Sequence, residues 1–394
     1  MAERILIVIH DDWELKGNGA GNVARLQYLP ALFLMDLAER HNAKLTFTAE
    51  VGQQLAFLRH TAEDPGLAVQ ARLWEETIGL MLARGFDVQL HIHPHWFRAR
   101  FEGGAFRLDR DWNLATYPEE ERAGILRKSV AYLREVKERA GGDTGVTVFK
   151  AGSYGMQPWP GMLAGLREAG IQLVLGVQKG LRIDHPDFQA DYTQLEEPVL
   201  PYYPDAEDVC RVGTPETGLV VLPVTHYTVG LGGKAARLAR RLSPTRWLRK
   251  PEDGLDVFAA APETPSPLAP SKAQRLAQAV GAAHARLDLG SGQAFIEWKC
   301  ALDAMMRKLL AHPAEAVPLV IESHSKNFAG NTRALRRFFT YLFETYGTHI
   351  ETETLGGMAR RIAAGELPIR SAGVPPASGS AGVPPASGKE GTRP

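Results

Sequence analysis

The segment Val88-Gln-Leu-His91-Ile-His93-Pro94-His95-Trp96 carries imidazoles at three alternate positions. On an extended strand, side chains two apart share a face, so His91 and His93 point together, with His95 close by unless Pro94 turns the chain. Imidazole nitrogens converging on one point make a site for zinc or a similar divalent ion. The plainer alternative is an exposed polar strand tip. His10-Asp11-Asp12-Trp13-Glu14 follows the apolar run Ile5 to Ile9 and offers carboxylates for a metal ligand and a general base side by side. A turn acid or helix cap is the ordinary role of such residues. In Val148-Phe-Lys150-Ala-Gly152-Ser-Tyr154-Gly155 the glycines let the backbone approach a ligand, so an amide near Tyr154 can face an oxyanion; a tight turn is the bland reading. Val320-Ile-Glu322-Ser-His324 sets His324 where an acid or base is useful.

These motifs act together only if the fold brings them to one place. Short β-branched runs near 4–10, 44–48, 86–92, 146–150, 171–176, 218–224, 317–322 and 348–352 read as strands. Helical periodicity fills 23–41, 66–84, 118–140, 159–169, 268–289, 295–311, 331–345 and 354–364. Such alternation predicts a mainly parallel α/β sheet, open or closed, whose C-terminal strand edges form one rim. Asp12 and His91 both fall on that rim. Gly85 and Gly170 sit where left-handed helix caps are wanted.

Residues 177–217, rich in Asp, Pro and Tyr, read as a long loop over one end of the sheet. From 230 to 267 a basic stretch (Lys234, Arg237, Arg240, Arg241, Arg246, Arg249, Lys250) precedes a Pro-rich one. It reads as a solvated excursion, with a basic arm for a membrane surface as the alternative. Ser371 to Gly379 repeats unchanged as Ser380 to Gly388, a composition too poor in apolar residues to repay ordering. The expected organisation is one domain over 1–369 with an insertion at 230–293, then a disordered tail over 370–394.

Equal numbers of basic and acidic residues, 45 each, give no general attraction to nucleic acid. Two cysteines, Cys210 and Cys300, cannot build a disulfide framework. With no signal-peptide pattern and no long apolar run, a cytoplasmic location is the expectation. The oligomeric state is not legible.

In this order, each at a strand end, the four motifs resemble the polysaccharide deacetylase (NodB-homology) family, especially its divergent branch with His-x-His-Pro-x-Trp and Phe-Arg-Ala-Gly-x-x-Gly segments. The resemblance spans about residues 4 to 350. It implies a distorted (β/α)7 barrel, with the inserted helical and basic segment, and a metal-dependent hydrolase removing N- or O-acetyl groups from sugars. It also implies roles: Asp11 as general base, Asp12 and His91 with either His93 or His95 as the metal set, the Tyr154 amide as oxyanion donor, and His324 as the acid. Lys150 replaces the family's usual Arg, keeping the charge but losing the bidentate fork. Trp13 replaces the usual Gly of the first motif, and the Asp-x-Glu version used by some relatives selects Asp12 and Glu14 instead. For the acid that tunes the histidine, Asp184, Asp187 and Asp191 are candidates, with Asp191-Tyr192 preferred.

Trp96, Trp112, Trp159, Tyr202 and Tyr203 fall near rim loops, where aromatic faces can stack on sugar rings or simply pack. The substrate expected is a cytosolic carbohydrate, lipid-linked or nucleotide-linked. Two other functions fit the same residues: a catalytically degenerate carbohydrate-binding protein, and a metal-independent glycoside hydrolase using a pair among Asp12, Glu14, Asp191 and Glu322.

Overall fold

Ile5 to Ile9 is apolar on both faces, the pattern of a parallel strand covered on both sides, and it forms the axis of the fold. The structure is a computed structural model that describes residues 2, 4–185, 188–230, 284–290, 295–328 and 331–374. Strand β1 (Arg4–Trp13) is flanked on one side, in order, by β2 (Thr46–Glu50), β3 (Asp87–Ile92), β4 (Val148–Ala151), β5 (Leu173–Leu175) and β6 (Val220–Val221). On its other side lies Ala316–Ser323 (β8), with Asp288–Leu289 (β7) beyond it. A ninth strand, β9 (Ile350–Glu353), pairs with Ile5 to Val8 of β1, while β2 pairs with His10 to Trp13. All these ladders are parallel. The sheet curls into a distorted (β/α) barrel, as expected; among the described residues no ladder joins its two edges, β6 and β7.

The helices are α1 (Leu29–Arg40), α2 (Val51–Arg59), α3 (Pro65–Ala83), α4 (Glu119–Arg139), α5 (Trp159–Glu168), α6 (Phe295–Leu310), α7 (Thr332–Tyr346) and α8 (Leu355–Ala363). Gly85 and Gly170, just past α3 and α5, take φ of +79° and +80°, the left-handed caps the sequence asked for.

Alternation along the strands sorts side chains into two cores. Leu6 and Val8 of β1 face inward with Val148, Leu173, Leu175 and Val320, and Leu355, Met358 and Ile362 of α8 close that end of the barrel. Ile5, Ile7 and Ile9 face outward into the larger core under the surrounding helices. The inward row then turns polar towards the C-terminal strand ends: His10, Asp12 and Glu14 after Leu6 and Val8 on β1, and Lys150 after Val148 on β4. This row holds residues of the candidate site.

Several elements differ from expectation. Helix α2 was not anticipated, because Glu50 ends β2 and at once caps the next helix, accepting from Gly52 N at 2.8 Å, with no loop to announce it. Residues 284–286 and 288–289 are strands rather than the end of a helix. The remainder of that expected helix, the basic stretch 234–250 and the repeated tail from 375 lie outside the described residues. Within 177–217 a hairpin forms from Arg182–His185 and Phe188–Asp191. Among the described residues no helix is long and apolar enough to cross a membrane.

Candidate metal centre and active site

Four side chains converge at the C-terminal mouth of the barrel: Glu14 beyond β1, Glu50 at the end of β2, His91 on β3 and His93 just after it. Each is buried, and each offers a ligand atom within 4.8 Å of the others. Glu14 Oε2 lies 3.0 Å from His93 Nε2 and 3.7 Å from His91 Nε2. His91 Nδ1 donates to the Lys150 carbonyl at 2.9 Å, which leaves Nε2 with its lone pair towards the cluster. That Nε2 is buried without a protein hydrogen-bond partner. Glu50 accepts from the main-chain N of His93 at 2.6 Å and from Gly52 N, so it ties the histidine strand to the start of α2. Two imidazoles and two carboxylates are a donor set that fits zinc or a similar dication.

Burial raises the Glu50 carboxyl to about 8, against the pull of His91. Burial also opposes ionisation of Glu14, but Lys326, 2.5 Å from Oε1, and His93 outweigh it and hold Glu14 well below the usual carboxylate range. For His91, Asp12 and the two glutamates overcome burial and raise its value; for His93 burial prevails and lowers it.

Beside this cluster lies a second set on the same inward face. Asp12 Oδ1 accepts from Thr48 Oγ1 at 2.9 Å and lies 3.2 Å from His10 Nδ1; Oδ2 lies 3.4 Å from Lys150 Nζ and 3.6 Å from His324 Nε2. Burial opposes the charge on Asp12, yet Lys150, His91 and His10 together keep it ionised well below its ordinary range. His324 Nδ1 pairs with Asp288 Oδ1 at 3.0 Å; that acid outweighs burial and lifts the imidazole to about 9. Glu322 lies 3.4 Å from Lys150 and 2.7 Å from Arg286, and it accepts a short hydrogen bond from the Tyr154 hydroxyl. The Tyr154 ring has two cations against it, with Lys150 Nζ at 4.3 Å and Arg286 Cζ at 4.9 Å from its centre. Ser153 and Tyr154 are both left-handed, at φ 52° and 62°, a costly backbone for residues with a Cβ.

The candidate cluster agrees with the expected residues in part. His91 and His93 are in it, Glu14 stands there as the Asp-x-Glu alternative has it, Glu50 joins them, and Asp12 and His95 lie outside the cluster. Period-two alternation explains the first change: Asp12 and Glu14 share the inward face, and Asp12 is already held by Lys150 and Thr48. The 3-10 turn Pro94–Arg98 explains the second, carrying His95 off the strand to pack 4.2 Å from the Trp112 ring. Asp11, expected as base, points the other way, and its carboxylate accepts from Ser325 N at 2.8 Å and Ser325 Oγ at 2.7 Å. Burial raises its value despite those bonds. His324, Lys150 and Tyr154 do come together, and Tyr154 enters the site by its ring and hydroxyl.

The histidine partner is Asp288 rather than an acid of the long loop. Asp191 sits on the exposed hairpin, accepting from Thr193 N and Oγ1, and Asp184 is on its other strand; Asp187 lies outside the described residues. Tyr192 is fully buried, as are Trp96, Trp159 and Tyr202, each packed inside the protein rather than open to a sugar. Trp112 is buried against His93 and His95. Glu50, Arg286, Asp288 and Lys326 were not singled out by the sequence.

No protein-family model matches this sequence, and comparison with curated proteins found no match. Among known structures, one named for a polysaccharide deacetylase from Mycobacterium smegmatis aligns at a TM-score of 0.50 and 15% identity, covering 95% of this chain and 96% of its own. A structure named for a polysaccharide deacetylase from Pseudomonas aeruginosa aligns at 0.46 and 15% identity, with 92% of each chain covered. The Puue allantoinase structure aligns at 0.46 and 13% identity, over 92% of this chain and 91% of that one. The likeness to the first of these, at that identity, concerns the fold alone: this chain has the barrel of the polysaccharide deacetylase type.

Proposed function

We propose that the protein is a metal-dependent hydrolase that removes N- or O-acetyl groups from a carbohydrate. The observation that carries the reading is the buried Glu14, Glu50, His91 and His93 cluster, set beside the Asp12–Lys150 and Asp288–His324 pairs. With Glu50 ionised, the five carboxylates of this layer (Asp12, Glu14, Glu50, Asp288, Glu322) outnumber its four cations (Lys150, Arg286, Lys326 and the protonated His324), an excess that a dication would meet. When bound, such an ion polarises an acyl carbonyl and lowers the pKa of water from ~15.7 towards ~7.

The rest of the work falls to the chain. Asp12, ionised and held by Lys150 and Thr48, accepts the proton of the attacking water, the role the sequence first suggested for Asp11. His324, kept protonated by Asp288, delivers a proton from Nε2 to the departing nitrogen or oxygen. Asp12 and His324 are 3.6 Å apart, so base and acid serve one reacting centre. Glu322 is enclosed by Tyr154, Arg286 and Lys150, which disfavours it as the free carboxylate a two-acid glycoside hydrolase needs.

The test is elemental analysis of purified protein, followed by acetate release from N- and O-acetylated sugars with and without chelator. Chelator-sensitive release, abolished in His91→Ala and His93→Ala, is expected. Release that survives both substitutions sinks the metal route, and bound metal without release from a broad panel favours a binding protein.

A further inference from the structure

Glu14 stands beyond the end of the sheet. The ladder of β1 with β8 stops at the Asp11–Ser323 pair, and its ladder with β2 stops at the Trp13–Ala49 pair. A residue past both neighbours has no strand to hold it extended, yet the cluster needs Glu14 on the inward face. Two glutamines fill the gap. Gln27 Nε2 donates to the Trp13 carbonyl at 3.1 Å, Gln53 Nε2 donates to Gln27 Oε1 at 2.7 Å, and Gln53 Oε1 accepts from Leu15 N at 2.9 Å. The Gln27 carbonyl also accepts from Trp13 Nε1 at 3.1 Å. Both glutamines are fully buried.

We infer that Gln27 and Gln53 form a side-chain bridge that replaces the missing strand and positions Glu14 for the cluster. The bridge grips the two peptide groups on either side of Glu14 Cα, the carbonyl of Trp13 and the amide of Leu15. That fixes the backbone directions that send the Glu14 side chain inward, in line with His10 and Asp12. Gln27 lies in a π turn (Ala24–Tyr28) just before α1, where Pro30 has no N–H for the Leu26 carbonyl and the α ladder must rearrange. Gln53 lies in the first turn of α2, which Glu50 caps. One bridge thus spans three elements and holds the backbone on both sides of Glu14. Its effect on ion binding rests on the metal reading above; its effect on the Glu14 backbone does not.

The test compares Gln27→Met, Gln53→Met and the double variant with Gln54→Met. Gln54 is the control: equally buried, it donates to Ala71 O at 3.1 Å and Tyr132 Oη at 2.9 Å, away from Glu14. Calorimetric titration of the chelator-treated proteins with zinc chloride is expected to show ~10–100-fold weaker binding for each bridge variant, no further loss in the double, and wild-type affinity for Gln54→Met. Equal affinity in Gln53→Met and wild type, or equal losses in all three single variants, overturns the inference. Crystal structures of metal-free wild type and Gln53→Met supply a readout that needs no ion: Glu14 is expected to leave His93, and a Glu14 unmoved overturns the bridge. If the wild type binds no zinc, the metal reading fails and those structures still decide.

Discussion

Gly152 has no room for a side chain. A Cβ there would lie 2.4 Å from the Ile92 carbonyl oxygen and 2.8 Å from His93 Cγ and Nδ1, so it would push directly on the ring of a candidate ligand. Gly152→Ala is therefore expected to cost about 1–3 kcal/mol of stability and to weaken dication binding at least about tenfold, measured by thermal melts and calorimetric titration. An unchanged affinity would show that His93 is not where the ion binds. The Asp288–His324 pair makes a second prediction at this scale. Because the folded value of about 9 lies above the ordinary 6.5, the pair's contribution to stability is complete below that lower pH and fades as pH climbs through about 9. In Asp288→Asn the imidazole should titrate back towards 6.5, followed by NMR of the His324 ring; a titration still near 9 would mean that Asp12 alone holds the proton. The histidine run was legible because three imidazoles at strand spacing seldom serve packing alone. Asp11 and Asp12 were not separable in the same way, since one position's shift reverses the face and β1 runs further than its apolar stretch suggested. Glu50 and Asp288 are single acids, and a lone acid reads as a cap or a surface residue until the strands are assembled.

At the scale of elements, the turn after β4 needs an outside brace. Ser153 and Tyr154 hold left-handed backbone, and the Tyr192 hydroxyl, arriving from the 177–217 excursion, donates to the Tyr154 carbonyl at 2.5 Å and accepts from Met156 N at 3.2 Å. Gln157 fastens the same excursion, donating to the Asp191 carbonyl at 3.0 Å and accepting from its N–H at 2.7 Å. The excursion is thus a structural clamp on the turn that delivers Tyr154. Tyr192→Phe, which removes only the hydroxyl, should cost about 0.5–1.5 kcal/mol in urea unfolding for the lost brace, since Met156 N still donates to the Tyr154 carbonyl at 3.0 Å. A loss too small to measure would mean the turn holds itself. The eight strands expected from β-branched runs all exist within a few residues, since burial on both faces leaves a clear apolar signature. Strand β7 escaped notice for the opposite reason: Leu287-Asp288-Leu289 is too short to carry a period, and the residues before it read as helical.

Across the whole molecule, stability and chemistry occupy opposite ends of one barrel. Leu6 and Val8 with α8 fill one end with apolar side chains, while the other gathers more carboxylates than fixed cations. The two ends should therefore respond separately. Zinc at about a hundredfold excess over its dissociation constant should stabilise the fold by about 2.7 kcal/mol, seen as a higher melting temperature than in chelator. Leu6→Ala, at the closed end, should lower stability by about 2–5 kcal/mol while the zinc-induced rise and the zinc affinity stay as in wild type. A Leu6→Ala protein that also loses zinc affinity would show that the apolar end sets the geometry of the mouth. A wild type whose melting ignores zinc would leave the acidic excess to be balanced by protons, and Glu50, raised by burial to about 8, is the group most ready to take one.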